Sequence, residues 1–268
     1  MQDIVKTEHM GAVLSIRLSN PETRNSLTDD LRKQVGMAVQ LASSDRSVRV
    51  VLLSAEGPTF CSGGDLNMLK DACDPWPVLR RFRALNNWLL PLLTLEKPVV
   101  VAINGAAVGG GMGLALAGDV AIAGESAKLM SGFFRLGVVP DIGIMHLLPR
   151  LIGMAQTKNF LFSGGTYSAQ QAHQLGLVSR VVPDDKLFDE ALAEAQRLAA
   201  GPAEIMGLAK SLLARTFETG MQDMFAFEGF GQAMAMSNPE FREGLSAALE
   251  KRPADFAGAS NRAVEAGK

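Results

Sequence analysis

Cysteine is scarce in this chain: two in 268 residues, with three histidines and one tyrosine. Cys61 and Cys73 are too few for a disulfide framework or a zinc site, and a reducing cytosol is the expected compartment. An excess of one charge is also missing. Twenty-six basic against 28 acidic side chains leave a net charge of −2, which argues against nucleic acid or an anionic membrane surface as partner. The opening MQDIVKTEHM lacks a basic n-region and an apolar h-region, so no secretory signal is expected. No low-complexity tract and no clear repeat occurs. The longest apolar run, Val99 to Gly118, carries Asn104 as its sole polar side chain. Its six glycines, the Asp119 that follows and the absence of a flanking Lys/Arg cluster argue against a membrane span. What remains, with 47% hydrophobic residues, is a globular chain long enough for a full core.

The chain is organised around Pro98–Asp119, PVVVAINGAAVGGGMGLALAGD. Val99, Val100 and Val101 have the pattern of a strand buried on both faces. Gly105, Gly109, Gly110 and Gly111 then permit close backbone approach, and a helix begins near Gly110. The spacing fails the dinucleotide fingerprint, because Leu114 stands at its third glycine. A second stretch, GPTFCSGGDLNML, repeats the design: a turn at Gly57-Pro58, then Ser62-Gly63-Gly64, then a helix starting near Asp65. Backbone donors at Gly64 and Gly110 can converge on one carbonyl oxygen, the arrangement of an oxyanion hole. Asp65 reads as a helix cap in preference to a catalytic carboxylate.

The remaining segments alternate strand and helix. Ile4–Leu18 predicts a strand pair turning near Met10-Gly11. Thr28 caps a helix with Leu31, Val35, Ala38 and Val39 on one face. Residues 48–54 form a buried strand, and Pro75–Leu95 a helix interrupted at Pro91 with Leu79, Phe82, Leu85, Leu89 and Leu92 inward. A short strand follows Asp119, a Pro140-Asp141 turn leads into a helix ending near Leu151, and a Ser168–Gln171 capping box opens another helix. VSRVVP is the last strand, and from Asp184 onward the chain is helical. The expectation is an α/β core over residues 1–200 and a helical block over 201–268, whose Met and Phe positions suit a core or a subunit interface. Asp141 is the only carboxylate between Glu125 and Asp184, and among apolar neighbours it is either a helix cap or a functional group. His146 reads as a partly buried core histidine, and Arg24 as a solvated charge.

The motifs NPETRNSL, VRVVLLSAEGPTFCSGGDL, NGAAVGGGMGLALAGDVAIA, LGVVPDIG with LLPRLIG, FSGGTYSAQQAHQLGLVSRVVP and EFREGLSAALEKRPADF resemble the crotonase superfamily, the enoyl-CoA hydratase/isomerase family, nearly end to end. The resemblance implies a spiral of ββα units, a C-terminal helical trimerisation domain building trimers or hexamers, and an acyl-CoA thioester as substrate, with no metal or redox cofactor. It assigns the oxyanion-hole amides to Gly64 and Gly110. CoA and acyl contacts fall on Arg24, Ser26, Ser62, Gly63, Asp65, Leu66, Gly109, Phe133 and Lys251, while Ala248 replaces the usual aromatic beside the adenine. Hydratases of the family carry two glutamates where this chain has Gly113 and Phe133. Asp141 stands where isomerases of dienoyl-CoA and of ring-1,2-epoxyphenylacetyl-CoA carry an aspartate, and the second type is the nearer in pattern. The resemblance therefore points to an isomerase with Asp141 as acid/base. The alternatives are a hydratase, lyase or hydrolase of the same family, a dehalogenase, or a non-catalytic acyl-CoA-binding assembly protein.

Overall fold

The computed structural model describes residues 3–66, 70 and 74–266. Cys73 and residues 67–69, where the second predicted helix would run, lie outside the described residues. Strands β1 (Val5–Met10) and β2 (Val13–Leu18) pair antiparallel around Gly11, whose φ of 67° is a left-handed conformation open to glycine. The next strands come in twos: β3 (Val50–Ala55) with β4 (Thr59–Cys61), β5 (Val99–Ile103) with β6 (Ala106–Val108), β7 (Val120–Gly124) with β8 (Lys128–Met130), and β9 (Thr166–Ser168) with β10 (Arg180–Val182). One member of each pair joins a six-stranded sheet, β1-β2-β3-β5-β7-β10, and the other a four-stranded sheet, β4-β6-β8-β9. Successive passes stack side by side, in parallel register as in Val51↔Val99 and Val100↔Val120, except that β9 runs antiparallel to β8. This is the ββα spiral that the resemblance implied.

Helices α1 (Asp29–Ser44), α2 (Pro75–Arg83), α3 (Leu89–Leu93), α4 (Gly110–Ala115), α5 (Ile144–Phe162) and α6 (Ala169–Gln174) connect the strands. They are followed by α7 (Leu187–Ala200), α8 (Ala203–Leu213), α9 (Met221–Ser237), α10 (Pro239–Glu250) and α11 (Phe256–Ala266). Strands β3 and β5 read as continuous apolar runs because both their faces are covered. Val51, Leu53, Val99, Val101 and Ile103 face the main core, while Val50, Leu52, Val100 and Ala102 pack on Leu187, Ala191 and Ala195 of α7. The Thr28 cap forms as expected, its Oγ1 accepting from Leu31 N at 3.2 Å, and Leu31, Val35, Ala38 and Val39 are buried. The Ser168–Gln171 capping box also forms.

One buried ion pair fastens the C-terminal helices to the core. Arg49, just before β3, donates to Glu240 of α10 at 2.7 Å and to the carbonyls of Ala199 and Gly201 at 2.8 Å each. Glu240 also accepts from the Glu204 and Ile205 amides, so neither charge is left unpaired in the interior.

Three expectations need correction. The Pro75–Leu95 helix breaks at Trp88 (φ −141°) rather than at Pro91, and Leu79 and Phe82 are exposed. The helix after Asp141 does not stop near Leu151; beyond a kink at Gly153 (φ 75°) it resumes to Phe162. The stretch between β5 and α4 is a short strand, β6, as well as a turn. No helix among the described residues is long and apolar enough to cross a membrane.

Candidate active site

The pairing of β4 with β6 assembles the site. They are parallel neighbours, with Cys61 opposite Ala107, so the Ser62-Gly63-Gly64 loop and the Gly109-Gly110 turn leave the sheet side by side. Glycine is required on both sides of this junction. Gly63 has φ +83°, and a Cβ on it would stand 2.4 Å from the Val108 carbonyl oxygen and 3.3 Å from Gly110 N. A Cβ on Gly111 would stand 2.2 Å from the Cys61 carbonyl oxygen. Gly109, at φ 52°, donates to Met130 O at 2.9 Å, and its bare face lies against Phe133, 4% exposed. Among the described residues no backbone acceptor is taken by the Gly64 or Gly110 amide. Gly110 N thus lies beside Gly63, and free amides on neighbouring loops are the kind of donor that suits an oxygen gaining negative charge.

The loop before α1 closes one side. Asn25, fully buried at φ 53°, accepts from Asn20 N at 2.8 Å and donates to the carbonyls of Glu56 and Thr59 at 3.0 and 2.9 Å. It thereby pins residues 20–26 to the β3–β4 connection. Ser62 N donates to Arg24 O at 3.0 Å and Leu27 N to Gly63 O at 2.8 Å. Arg24 is exposed and Ser26 buried. Sequence reasoning missed Asn25. Its usable signal is an Asn beside Arg24 in a turn-rich loop, where Asn tolerates left-handed backbone and bonds back to the chain.

Asp141 lies beside Gly110. Its Oδ1 is 3.5 Å from where a Cβ on Gly110 would stand, and Leu27 and Ile142 fill the rest of that position. The structure removes the helix-cap reading: the N-cap of α5 is Gly143, with no side-chain cap bond. Burial pushes the Asp141 carboxyl up to about 6, and the Arg32 guanidinium, held by Asp29, pulls against it. The carboxyl therefore sits where one group can both accept and return a proton near neutral pH. Ile142, next in sequence, has φ 49°, which a β-branched residue adopts only where its surroundings force it.

Other predicted residues stand differently. His146 is exposed rather than partly buried, on the first turn of α5 and away from the core. Asp65 is half-buried and Leu66 57% exposed, at the edge of the undescribed 67–69 stretch. Lys251 is exposed at the left-handed C-cap of α10, and no described contact joins it to the other site residues. Burial pushes the Cys61 thiol up to about 12, which leaves it without thiolate character. Gly113 has no room for any side chain, since a Cβ there would stand 2.1 Å from the Ile142 carbonyl oxygen. A cavity of about 1180 Å³ opens between α1 and the 77–97 segment; Arg32, Arg81 and Trp88 help to line it, and Gly110 and Asp141 do not.

Known proteins resemble this chain over nearly its whole length. The family model described as enoyl-CoA hydratase/isomerase matches residues 8–259. The chain is 35% identical over 261 residues to the 1,2-epoxyphenylacetyl-CoA isomerase of Escherichia coli, covering 96% of this chain and all of that one. It is 34% identical over 267 residues to a Mycobacterium tuberculosis protein named a probable enoyl-CoA hydratase, covering 94% and 92% of the two chains. The crystal structure of an enoyl-CoA hydratase/isomerase from Cupriavidus metallidurans superposes with a TM-score of 0.90 at 30% identity, over 96% of this chain and 97% of that one. The paired glycine loops, the spiral that holds them and these likenesses agree: the chain belongs to the enoyl-CoA hydratase/isomerase family of the crotonase superfamily.

Proposed function

We propose that this chain is an acyl-CoA isomerase that moves a double bond within an unsaturated acyl-CoA thioester. The thioester oxygen accepts from the Gly64 and Gly110 amides. The Asp141 carboxylate removes a proton from one carbon of the acyl chain, and the electron pair left behind delocalises onto that oxygen as an enolate. The protonated Asp141 then returns the proton to another carbon, the carbonyl reforms and the double bond has shifted with no net redox change. Each well-placed amide is worth about 3 kcal/mol to the enolate-like transition state, and the proton transfer contributes roughly 10²–10⁴-fold. Coenzyme A is part of the substrate, and the scheme uses no metal or redox cofactor. Its contacts are assigned to Arg24, Ser26, the Ser62–Leu66 loop, Gly109 and Lys251.

The observation that carries this reading is the Asp141 carboxyl beside Gly110, uncommitted to capping α5 and raised toward neutrality. Against a two-acid hydratase stand Gly113, where no side chain fits, and Phe133, whose aromatic ring is buried. The assembly is a homotrimer or hexamer. Support comes from α9, a helix whose Phe225, Phe230 and Met234 are 64%, 71% and 63% exposed on the single chain; apolar surface of this extent calls for a partner.

The test is turnover of a panel of linear and aryl-acetyl unsaturated CoA thioesters in deuterated water. Double-bond migration, with deuterium entering the carbon next to the thioester, is expected for at least one. Rapid hydration without migration would overturn the reading.

A further inference from the structure

We propose that Gly113 is a positioning residue for Asp141: its bare place on α4 is the seat for the Asp141-Ile142-Gly143 turn, and it sets where the carboxylate meets the Gly110 amide. The kinetic part of this inference rests on Asp141 as proton carrier; the geometry of the seat does not.

A Cβ on Gly113 would stand 2.1 Å from the Ile142 carbonyl oxygen and 3.1 Å from its carbonyl carbon and Cβ. One helical turn earlier, a Cβ on Gly110 would stand 2.8 Å from Ile142 Cγ1. Positions three apart share a helix face, so Ile142 lies across two consecutive bare sites. The turn cannot yield by small adjustment. Ile142 is 5% exposed and already at φ 49°, Gly143 is at φ 77°, and Ile144, fully buried, donates its amide to Asp141 O at 3.0 Å. The obstructing atom is backbone, so even a methyl group at 113 must displace residue 142. Asp141 is joined to it directly and moves with it. The opposite flank of α4 is fixed by the contact of Gly111 with Cys61, so the helix spaces the Gly63-Gly64 loop from the acid.

Carbon-13 NMR of aspartate-labelled protein tests this, with the Asp141 signal assigned by its loss in Asp141→Asn. The proteins compared are native, Gly113→Ala, Ile142→Gly, the double variant of these two, and Gly118→Ala. The last crowds the Val101 side chain and not the turn, and so controls for general destabilisation. In the double variant, glycine at 142 lets the backbone adjust, which supplies a folded protein for the test if alanine at 113 alone prevents folding. Native and Gly118→Ala proteins are expected to titrate near 6, Ile142→Gly lower because part of the apolar surroundings is gone, and each protein carrying Gly113→Ala nearer the ordinary 3.8 than its parent with glycine at 113, as the carboxyl leaves its apolar seat. In those two proteins kcat should fall by about tenfold or more with KM within about twofold, the mark of a misplaced reacting group. A protein carrying Gly113→Ala, single or double, that folds with the titration and kcat of its parent would overturn the proposal. If native protein isomerises nothing, the functional reading fails, and the titration still decides the seat.

Discussion

Arg32 opposes the effect of burial on Asp141: apolar surroundings raise the carboxyl, the guanidinium, drawn in beside Asp29 on the first turn of α1, lowers it, and the balance stands at about 6. The base form is therefore lost as pH falls through about 6, and isomerisation should lose its activity over the same range. Arg32→Gln removes the lowering charge, so the acid limb of the kcat profile should move to higher pH, while Arg32→Lys should restore most of it. Superimposable profiles for Arg32→Gln and native protein would separate this cation from the site.

Asp141→Asn should reduce turnover at least about 10²-fold while acyl-CoA binding, followed by calorimetry, changes little. It should also stabilise the fold. As pH rises above 3.8 the unfolded chain releases the Asp141 proton, whereas the folded chain holds it until about 6. Stability therefore falls across that window and the penalty is complete above it. At pH 7 the Asn variant should gain up to about 3 kcal/mol in urea unfolding, and the gain should vanish below pH 4. A variant that keeps native turnover would leave the chain without its proton carrier.

Hydration of crotonyl-CoA should be slow, and Gly113→Glu with Phe133→Glu should not install it. The first substitution drives a side chain into the Ile142 carbonyl, and the second buries a carboxylate in place of an aromatic ring. A loss of several kcal/mol, or failure to fold, is expected. A soluble double variant with a raised hydratase rate would contradict the crowding described at Gly113.

Asn25→Ala should cost about 2–4 kcal/mol, because it removes the side-chain partner of two half-buried carbonyls and one amide and puts alanine at a left-handed φ. It should also weaken acyl-CoA binding, since the 20–26 loop holds Arg24 against Ser62. Calorimetry that finds native affinity would show the loop positioned by other contacts.

Sedimentation should give three or six times the single-chain mass, and Phe230→Asp, on the exposed face of α9, should lower it. A single-chain mass for native protein at micromolar concentration would refute the assembly.

Much of this was legible in the chain itself. The valine-rich runs of β3 and β5, the Thr28 and Ser168 caps and the glycine clusters at 62–64 and 109–111 act through local rules of periodicity, capping and backbone freedom, and each formed where those rules put it. The motifs also fixed the family. Tertiary structure decided what depends on partners distant in sequence. Strands β4 and β6 are three residues each, too short to show a period, and they exist because each completes the other's hydrogen bonds; only that pairing sets Gly63 beside Gly110. Asp141 could be a cap or a base on spacing alone, until the fold gave the N-cap of α5 to Gly143 and set the carboxyl among Gly110, Leu27 and Ile142, with Arg32, from the far end of the core sequence, as its counter-charge. Burial and Coulomb forces are properties of the assembled surroundings, and no local pattern of residues encodes them.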